Sequence, residues 1–417
     1  MAYMRRLIQK VNLIIFGIVF TFLVMEIIIR VGGTYDQNGQ FVFASLTLHP
    51  LQIPISFLQK NADEYQERID EARLIYEPNM GWTFQPDFTS EDGLYTFNKA
   101  GMRAERDYMK EPATDVLRIA LFGDSFVAGD EVRNDETWAV YLEEGLNEMG
   151  IQAEVLNFGV SGFGMDQAYL RWLHLGLAYQ PDIVLFGFQP SDLWRNPGIF
   201  MAFQGIHQAP FSKPRFVLED QTLRLVNSPV LPPADIPEAI GQFPDHPMEP
   251  YAGWYTQHFQ DRWWLQSKTM ALVATILSGL TEKRSRYDEA YEFALATAIV
   301  QSFGADVRSN NGIFMVVHLP NFLLYKDEYL SGEPPPYNSV LEDIRAHFPL
   351  IDVTDAFSDW DDDYLMFGGH YSATGNRLVA EAIAAELETC LVDASCIPPR
   401  FADKNVFFTR EQDRPEN

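Results

Sequence analysis

A chain of 417 residues with 47% apolar side chains can bury one large core or two modest ones, which excludes a disordered or fibrous polymer. With 58 acidic against 31 basic side chains the formal charge is -27, which argues against nucleic acid or any other polyanion as a partner held by charge. There is no Gly-x-x-x-x-Gly-Lys-Ser/Thr phosphate loop and no histidine pair at metal-binding spacing, so neither metal nor cofactor is expected.

Val11 to Val31 is a run of Ile, Leu, Val and Phe interrupted by Asn12, Glu26 and Arg30. At 1.5 Å per residue it reaches roughly 31 Å, the thickness of a bilayer's hydrocarbon core, and predicts one N-terminal transmembrane helix. Glu26 and Arg30 stand i,i+4 and can pair near the far interface. Arg5, Arg6 and Lys10 precede the span, which puts the remaining chain outside: a single-pass inner-membrane protein with its body on the periplasmic or extracellular side. A cleaved signal peptide is the alternative, although no clear small-residue cleavage pattern surrounds Gly32 and Gly33.

Residues 34–114 are aromatic and turn-rich and predict a collar of short antiparallel strands between the anchor (1–33) and the main domain (115–392). Leu117 to Phe122 then has strand length and composition and stops at Gly123-Asp124-Ser125. A serine on such a turn, at the carboxyl edge of a parallel strand, is a candidate nucleophile. Helical spacing follows from Trp138 to Met149, a second strand spans Val155 to Phe158, and the turn Gly159-Val160-Ser161-Gly162-Phe163-Gly164 leads into more helix. That turn reads Gly-x-x-Gly-x-Gly after the second strand, not the dinucleotide fingerprint after the first.

Ile183 to Phe188 is continuous in apolar character, as a buried parallel strand should be. An insert at about 197–262 interrupts the α/β alternation with a hairpin from Lys213 to Val226 and a proline-rich stretch from Ser228 to Pro250. Trp254, Tyr255, Trp263 and Trp264 suit either packing of the insert or stacking on sugar rings. Helical spacing resumes from Trp264 to Leu280 and from Tyr291 to Phe303, a fourth strand is expected from Ile313 to Val317, and a fifth from Ile351 to Val353. His370, in a loop ahead of a helix bearing Leu378, Val379, Ile383 and Leu387, is the candidate base, with His318 as a substitute. Cys390 and Cys396 are close enough for a small-loop disulfide, two unrelated free thiols being the alternative. A polar tail is expected over 393–417.

Gly-Asp-Ser after the first strand, Asn157-x-Gly-x-x-Gly-x-Gly after the second, a polar turn after the third and Gly-His-Tyr-Ser with Gly-Asn near the end resemble, in that order, the SGNH or GDSL hydrolase superfamily over about residues 115–390. The anchor followed by Gly81-Trp82 and Asn98-x-x-Gly101-Met102-Arg103 is similar to membrane-anchored bacterial members. The resemblance implies a flavodoxin-like three-layer α/β sandwich with a parallel sheet. It implies Ser125 as nucleophile and, through its N–H, as oxyanion donor, with Gly162 as a second donor and His370 as base. Ser191 stands where the pattern has an asparagine that completes the oxyanion hole, and Phe367 and Gly368 stand where it has an acid. Asp359, Asp361, Asp362 and Asp363 lie just upstream; Asp362 and Asp363 are the candidate acids, and a Ser-His dyad is the alternative. The expected activity is removal of an acyl group, such as acetyl, from an acylated carbohydrate or small ester. An O-acyltransferase acting on an extracellular polysaccharide and a catalytically silent glycan-binding or assembly protein of the same fold are the alternatives.

Overall fold

The computed structural model describes residues 2–36, 39–204, 210–281 and 289–402; most of the expected polar tail lies outside them. In chain order the principal elements are α1 (Ala2–Gly32), β1 (Leu117–Phe122), α2 (Ser125–Ala128), α3 (Trp138–Glu148), β2 (Ala153–Asn157), α4 (Met165–His174) and β3 (Ile183–Phe188). They continue with α5 (Lys268–Thr281), α6 (Glu289–Ser309), β4 (Ile313–His318), β5 (Leu350–Asp352) and α7 (Ala373–Val392).

Two compact units result. The larger comprises Glu64–Ile199, Phe211–Pro233 and Tyr287–Asn417. Its main sheet has five strands, all parallel and ordered β2-β1-β3-β4-β5. This is the flavodoxin-like order, with its topological switch between β1 and β3. Every residue of β1 and β3 is buried, which is why both read as unbroken apolar runs. Side chains alternate across the pleat: Leu117, Ile119 and Leu121 pack with Trp138, Leu142, Val379, Ile383 and Leu387 of α3 and α7. Phe122 and Phe186 point the other way, onto Phe303 of α6, with Trp172 of α4 also against Phe122. The layers are therefore α/β/α. Cys390 and Cys396 are joined as a disulfide at the end of α7, with Cα atoms 5.3 Å apart.

The smaller unit comprises Met1–Asp63, Phe200–Pro210 and Ala234–Arg286. Within α1, Met4–Gly32 is apolar and long enough to cross a membrane. These boundaries differ from the predicted collar (34–114) and insert (197–262). The collar divides after Asp63, the insert's contribution runs on through α5, and its hairpin (Arg215–Glu219 with Thr222–Val226) stays with the larger unit. The cause is long-range burial: Leu265 and Ala271 share a small core with Ile29, Phe41 and Leu48, whereas Phe216 of the hairpin stacks on Tyr169 of α4. Trp254 and Tyr255 are 5% and 8% exposed, so they serve packing in this unit, while Trp263 is 84% exposed.

Candidate functional site

The chain leaves β1 through Gly123 and Asp124 and enters α2 at Ser125. Asp124 caps this short helix by accepting from Phe126 N–H at 2.9 Å, and Gly129 closes it in the left-handed region. Ser125 is thereby held, 5% exposed, beyond the carboxyl end of a central strand beside the topological switch. His370 stands two residues before Ser372, whose hydroxyl caps α7 by accepting from Gly375 N–H at 3.2 Å. Its Nε2 lies 2.8 Å from Ser125 Oγ. Its Nδ1 lies 2.7 Å from Glu131 Oε2, while Glu131 Oε1 accepts from Gly368 N–H at 3.0 Å.

The sequence reading missed Glu131. It follows the left-handed Gly129 and is itself left-handed, with φ 69°, so that the chain turns back toward the histidine. Collar residues fix this turn. Glu131 N–H donates to Tyr95 Oη at 3.0 Å, the guanidinium groups of Arg73 and Arg103 each stand 4.3 Å from the Tyr95 ring centre, and Arg103 donates to Val132 O and to Asn134 Oδ1. Burial works to raise the Glu131 pKa, but the hydrogen bonds from His370 and Gly368 outweigh it, and the carboxyl is held below its ordinary value.

Among the described residues neither of the two acids expected from sequence bonds His370, whose Nδ1 faces Glu131. Asp362 is an exposed acceptor for Lys326 Nζ at 3.0 Å and Trp360 Nε1 at 2.8 Å, and Asp363 accepts the Ser372 hydroxyl through its backbone carbonyl at 2.7 Å. The upstream acidic turn therefore caps and pairs locally, and Glu131 occupies the place behind His370. His318, the substitute base, is 1% exposed and committed to Asp352 at 2.8 Å and the Tyr337 hydroxyl at 3.0 Å.

The glycine turn abuts α2 directly. Val160 N–H donates to Gly123 O at 3.1 Å, and a Cβ on Gly159 would meet Ala128 N at 2.5 Å. Phe163 N–H returns to Val160 O, with Gly162 at φ +78°, as a type II turn requires at its third position. Among the described residues no acceptor within the protein engages the N–H of Ser125 or of Gly162. The Ser161 carbonyl accepts from the Trp82 indole at 3.0 Å; because a trans peptide sets C=O and N–H on opposite sides, Trp82 also fixes which way Gly162 N–H points. Ser191, after β3, is buried; its N–H is taken by Gln189 Oε1, leaving its hydroxyl, 3.5 Å from Asn321 Nδ2, as the available donor.

A single guanidinium ties these turns together. Arg195 Nη1 donates to Asp124 Oδ2 at 2.6 Å, Asp192 Oδ1 at 2.8 Å and Phe163 O at 3.2 Å. Burial and the neighbouring Asp124 carboxylate push the Asp192 pKa well up, with Arg195 opposing them.

Residues 121–378 match the family described as GDSL-like Lipase/Acylhydrolase. The chain belongs to that family. It is an ester-acting hydrolase. Comparison with curated proteins found no match. Solved structures similar to this GDSL hydrolase include a G-D-S-L family protein from Desulfitobacterium hafniense, at 14% identity and TM-score 0.32 over 64% of this chain and 98% of the other. They also include Axe2, an acetylxylan esterase from Geobacillus stearothermophilus, at 13% identity and TM-score 0.36 over 65% and 94% of the two chains.

Proposed function

We propose that the chain is a membrane-anchored, extracytoplasmic serine esterase that removes an acyl group, such as acetyl, from a glycan or small ester, using Ser125, His370 and Glu131. The observation that carries this reading is the unbroken relay from Ser125 Oγ through both ring nitrogens of His370 to Glu131, at 2.8 and 2.7 Å. With Glu131 ionised, the ring proton stays on Nδ1, whose N–H donates a hydrogen bond to the carboxylate, and this leaves Nε2 to accept from Ser125 Oγ–H. Ser125 Oγ attacks the ester carbonyl carbon, its proton passes to Nε2, and the oxyanion accepts from the free N–H groups of Ser125 and Gly162 and from the Ser191 hydroxyl. The intermediate collapses as His370 returns the proton to the leaving alcohol. Water then repeats the cycle on the acyl-enzyme.

The anchor reading is supported by the apolar α1, the basic residues ahead of its apolar core and a disulfide suited to an oxidising compartment. The charge of -27 disfavours polyanionic substrates.

The test is phosphonate labelling of the full chain in detergent with peptide mapping. The adduct is expected on Ser125, in parallel with hydrolysis of p-nitrophenyl acetate. An unlabelled chain, under conditions that label an unrelated serine esterase, sinks the enzyme reading. Acyl transfer in place of hydrolysis would appear as diversion of product by added sugar alcohols.

A smaller effect follows from the Trp82 contact. Trp82→Phe keeps an aromatic side chain but removes the indole N–H, freeing the Ser161–Gly162 peptide to rotate. Complete loss of an oxyanion donor costs about 100- to 1000-fold, so a donor aimed correctly only part of the time is expected to lower kcat by on the order of tenfold. Steady-state kinetics should show KM nearly unchanged; a change confined to KM would remove Gly162 from the role.

A further inference from the structure

We propose that α5 is a second membrane element, lying in the outer interface of the bilayer that α1 crosses, with Val273, Ile276 and Leu277 bedded in lipid. This rests on the reading of α1 as a membrane anchor. Both helices belong to the smaller unit.

The first observation is the two-sidedness of α5. Ala271 is fully buried against the core made with Ile29, Phe41 and Leu48. Val273, Ile276 and Leu277, at i, i+3 and i+4, are 42%, 46% and 54% exposed. Among the described residues these three side chains form an apolar, solvent-facing stripe. Fourteen residues reach about 21 Å, too short to cross a hydrocarbon core of roughly 30 Å. An apolar stretch of this length is either a buried core helix or an interfacial segment, and the exposed face favours the second.

The second observation fixes its depth. Glu26 of α1 supplies the N-terminal cap of α5: its carboxylate accepts from Lys268 N–H at 3.0 Å, Thr269 N–H at 2.8 Å and the Ser267 hydroxyl at 2.8 Å. Arg30 pairs with Glu26 at 2.7 Å and donates to Gln266 O at 2.8 Å. The start of α5 therefore sits level with Glu26. Beyond that level α1 still exposes Ile27, Ile28 and Val31, at 63%, 48% and 81%. Five further residues rise about 7.5 Å, so the apolar surface of α1 continues past the point at which α5 begins.

The third observation is the company α5 keeps. Trp263, 84% exposed, comes just before it, and tryptophan is the side chain best suited to the headgroup layer. The first backbone N–H groups of the helix are taken by Glu26 and Ser267, and the Thr275 hydroxyl donates to Ala271 O at 2.9 Å. Such closure is what a poorly hydrated setting demands. It also gives Glu26 and Arg30 a role: two charges inside an apolar helix become the joint between two membrane elements.

The chain has two cysteines and both are in the disulfide, so an introduced cysteine takes a thiol label alone. The experiment uses the full chain in nanodiscs of phosphatidylethanolamine and phosphatidylglycerol, with an environment-sensitive fluorophore on Ile276→Cys or, separately, on Ile15→Cys. The expected result at 276 is blue-shifted emission, quenched several-fold more by lipid carrying a nitroxide near its headgroup than by aqueous iodide. At 15 it is quenching by a nitroxide deep in the acyl chain. A 276 label quenched by iodide while the 15 label is quenched by lipid places α5 in water and overturns the proposal. A 276 label shielded from both quenchers means that protein, a second copy or another partner, covers the face, and also overturns it. If the 15 label is quenched by iodide and not by lipid, the anchor reading itself fails and takes the placement of α5 with it.

Discussion

Glu131→Gln is expected to lower kcat/KM on a p-nitrophenyl ester by about 10,000-fold near neutral pH, the loss seen when the orienting carboxylate of a serine-protease triad becomes an amide. The geometry says why an amide fails here. Glu131 faces two donors, the His370 ring through Oε2 and Gly368 N–H through Oε1. A glutamine has one oxygen and one NH2. With the oxygen on His370, the NH2 opposes Gly368 N–H; with the oxygen on Gly368, the NH2 faces Nδ1 and selects the tautomer that carries its proton on Nε2, where Ser125 needs an acceptor. Either arrangement also removes the charge that stabilises the imidazolium. The depressed pKa of Glu131 predicts the pH behaviour of the native contact: its stabilisation is complete above the ordinary carboxylate pKa and is lost as pH falls through the lower folded value. Asp362→Asn and Asp363→Asn should leave kcat/KM within a factor of two of the parent, about the scatter of ordinary surface substitutions. Should Glu131→Gln retain a tenth of the parent activity, or either aspartate variant lose most of it, Glu131 is not the acid.

The legibility of this site in the sequence follows the range of the interactions. β1 and β3 read at their true bounds because strands buried on both faces carry one continuous apolar signal. Ser125, the turn at Gly162 and His370 announce themselves because each lies at an element's end, where local chain chemistry places it. Glu131 lies six positions beyond Ser125, and nothing in its own segment of sequence ties it to the histidine. A carboxylate is expected near the histidine in sequence, whereas this one reaches it across the fold, on a turn held by Gly129 and by Tyr95 of the collar. The signal available was the pairing of two facts: no acid at Phe367 or Gly368, and an acidic pair directly after the glycine that ends the nucleophile helix. The unit boundaries were illegible for a similar reason. The bond between Glu26 and α5 joins distant chain segments, and neither carries a local pattern that names the other.

Arg195→Met should destabilise the larger unit by about 3–5 kcal/mol near pH 7, the usual consequence of removing one partner from a buried ionic cluster. That corresponds to a fall in Tm on the order of 10 °C. Arg195 is the cation shared by Asp124 and Asp192, whose side chains are 0% and 1% exposed. Among the described residues Asp192 Oδ2 has no hydrogen-bond partner, so it has no second donor to fall back on. Removing the guanidinium takes away what opposes burial at Asp192, so its pKa, already raised in the native chain, rises further and it holds a proton that the unfolded chain releases. The folded state then binds more protons than the unfolded one across the carboxylate range, and stability falls as pH rises. Thermal unfolding of the full chain in detergent should therefore show a larger deficit at pH 7.5 than at pH 4.5. Activity should fall even where the variant remains folded, because the same group joins Asp124, which caps the Ser125 helix, to Phe163 O in the turn that carries Gly162. Arg195→Lys restores charge without the planar fork and should recover more of the pH-dependent stability than of kcat. Equal deficits at the two pH values would mean that Arg195 acts through packing alone, with its charge immaterial to the two aspartates.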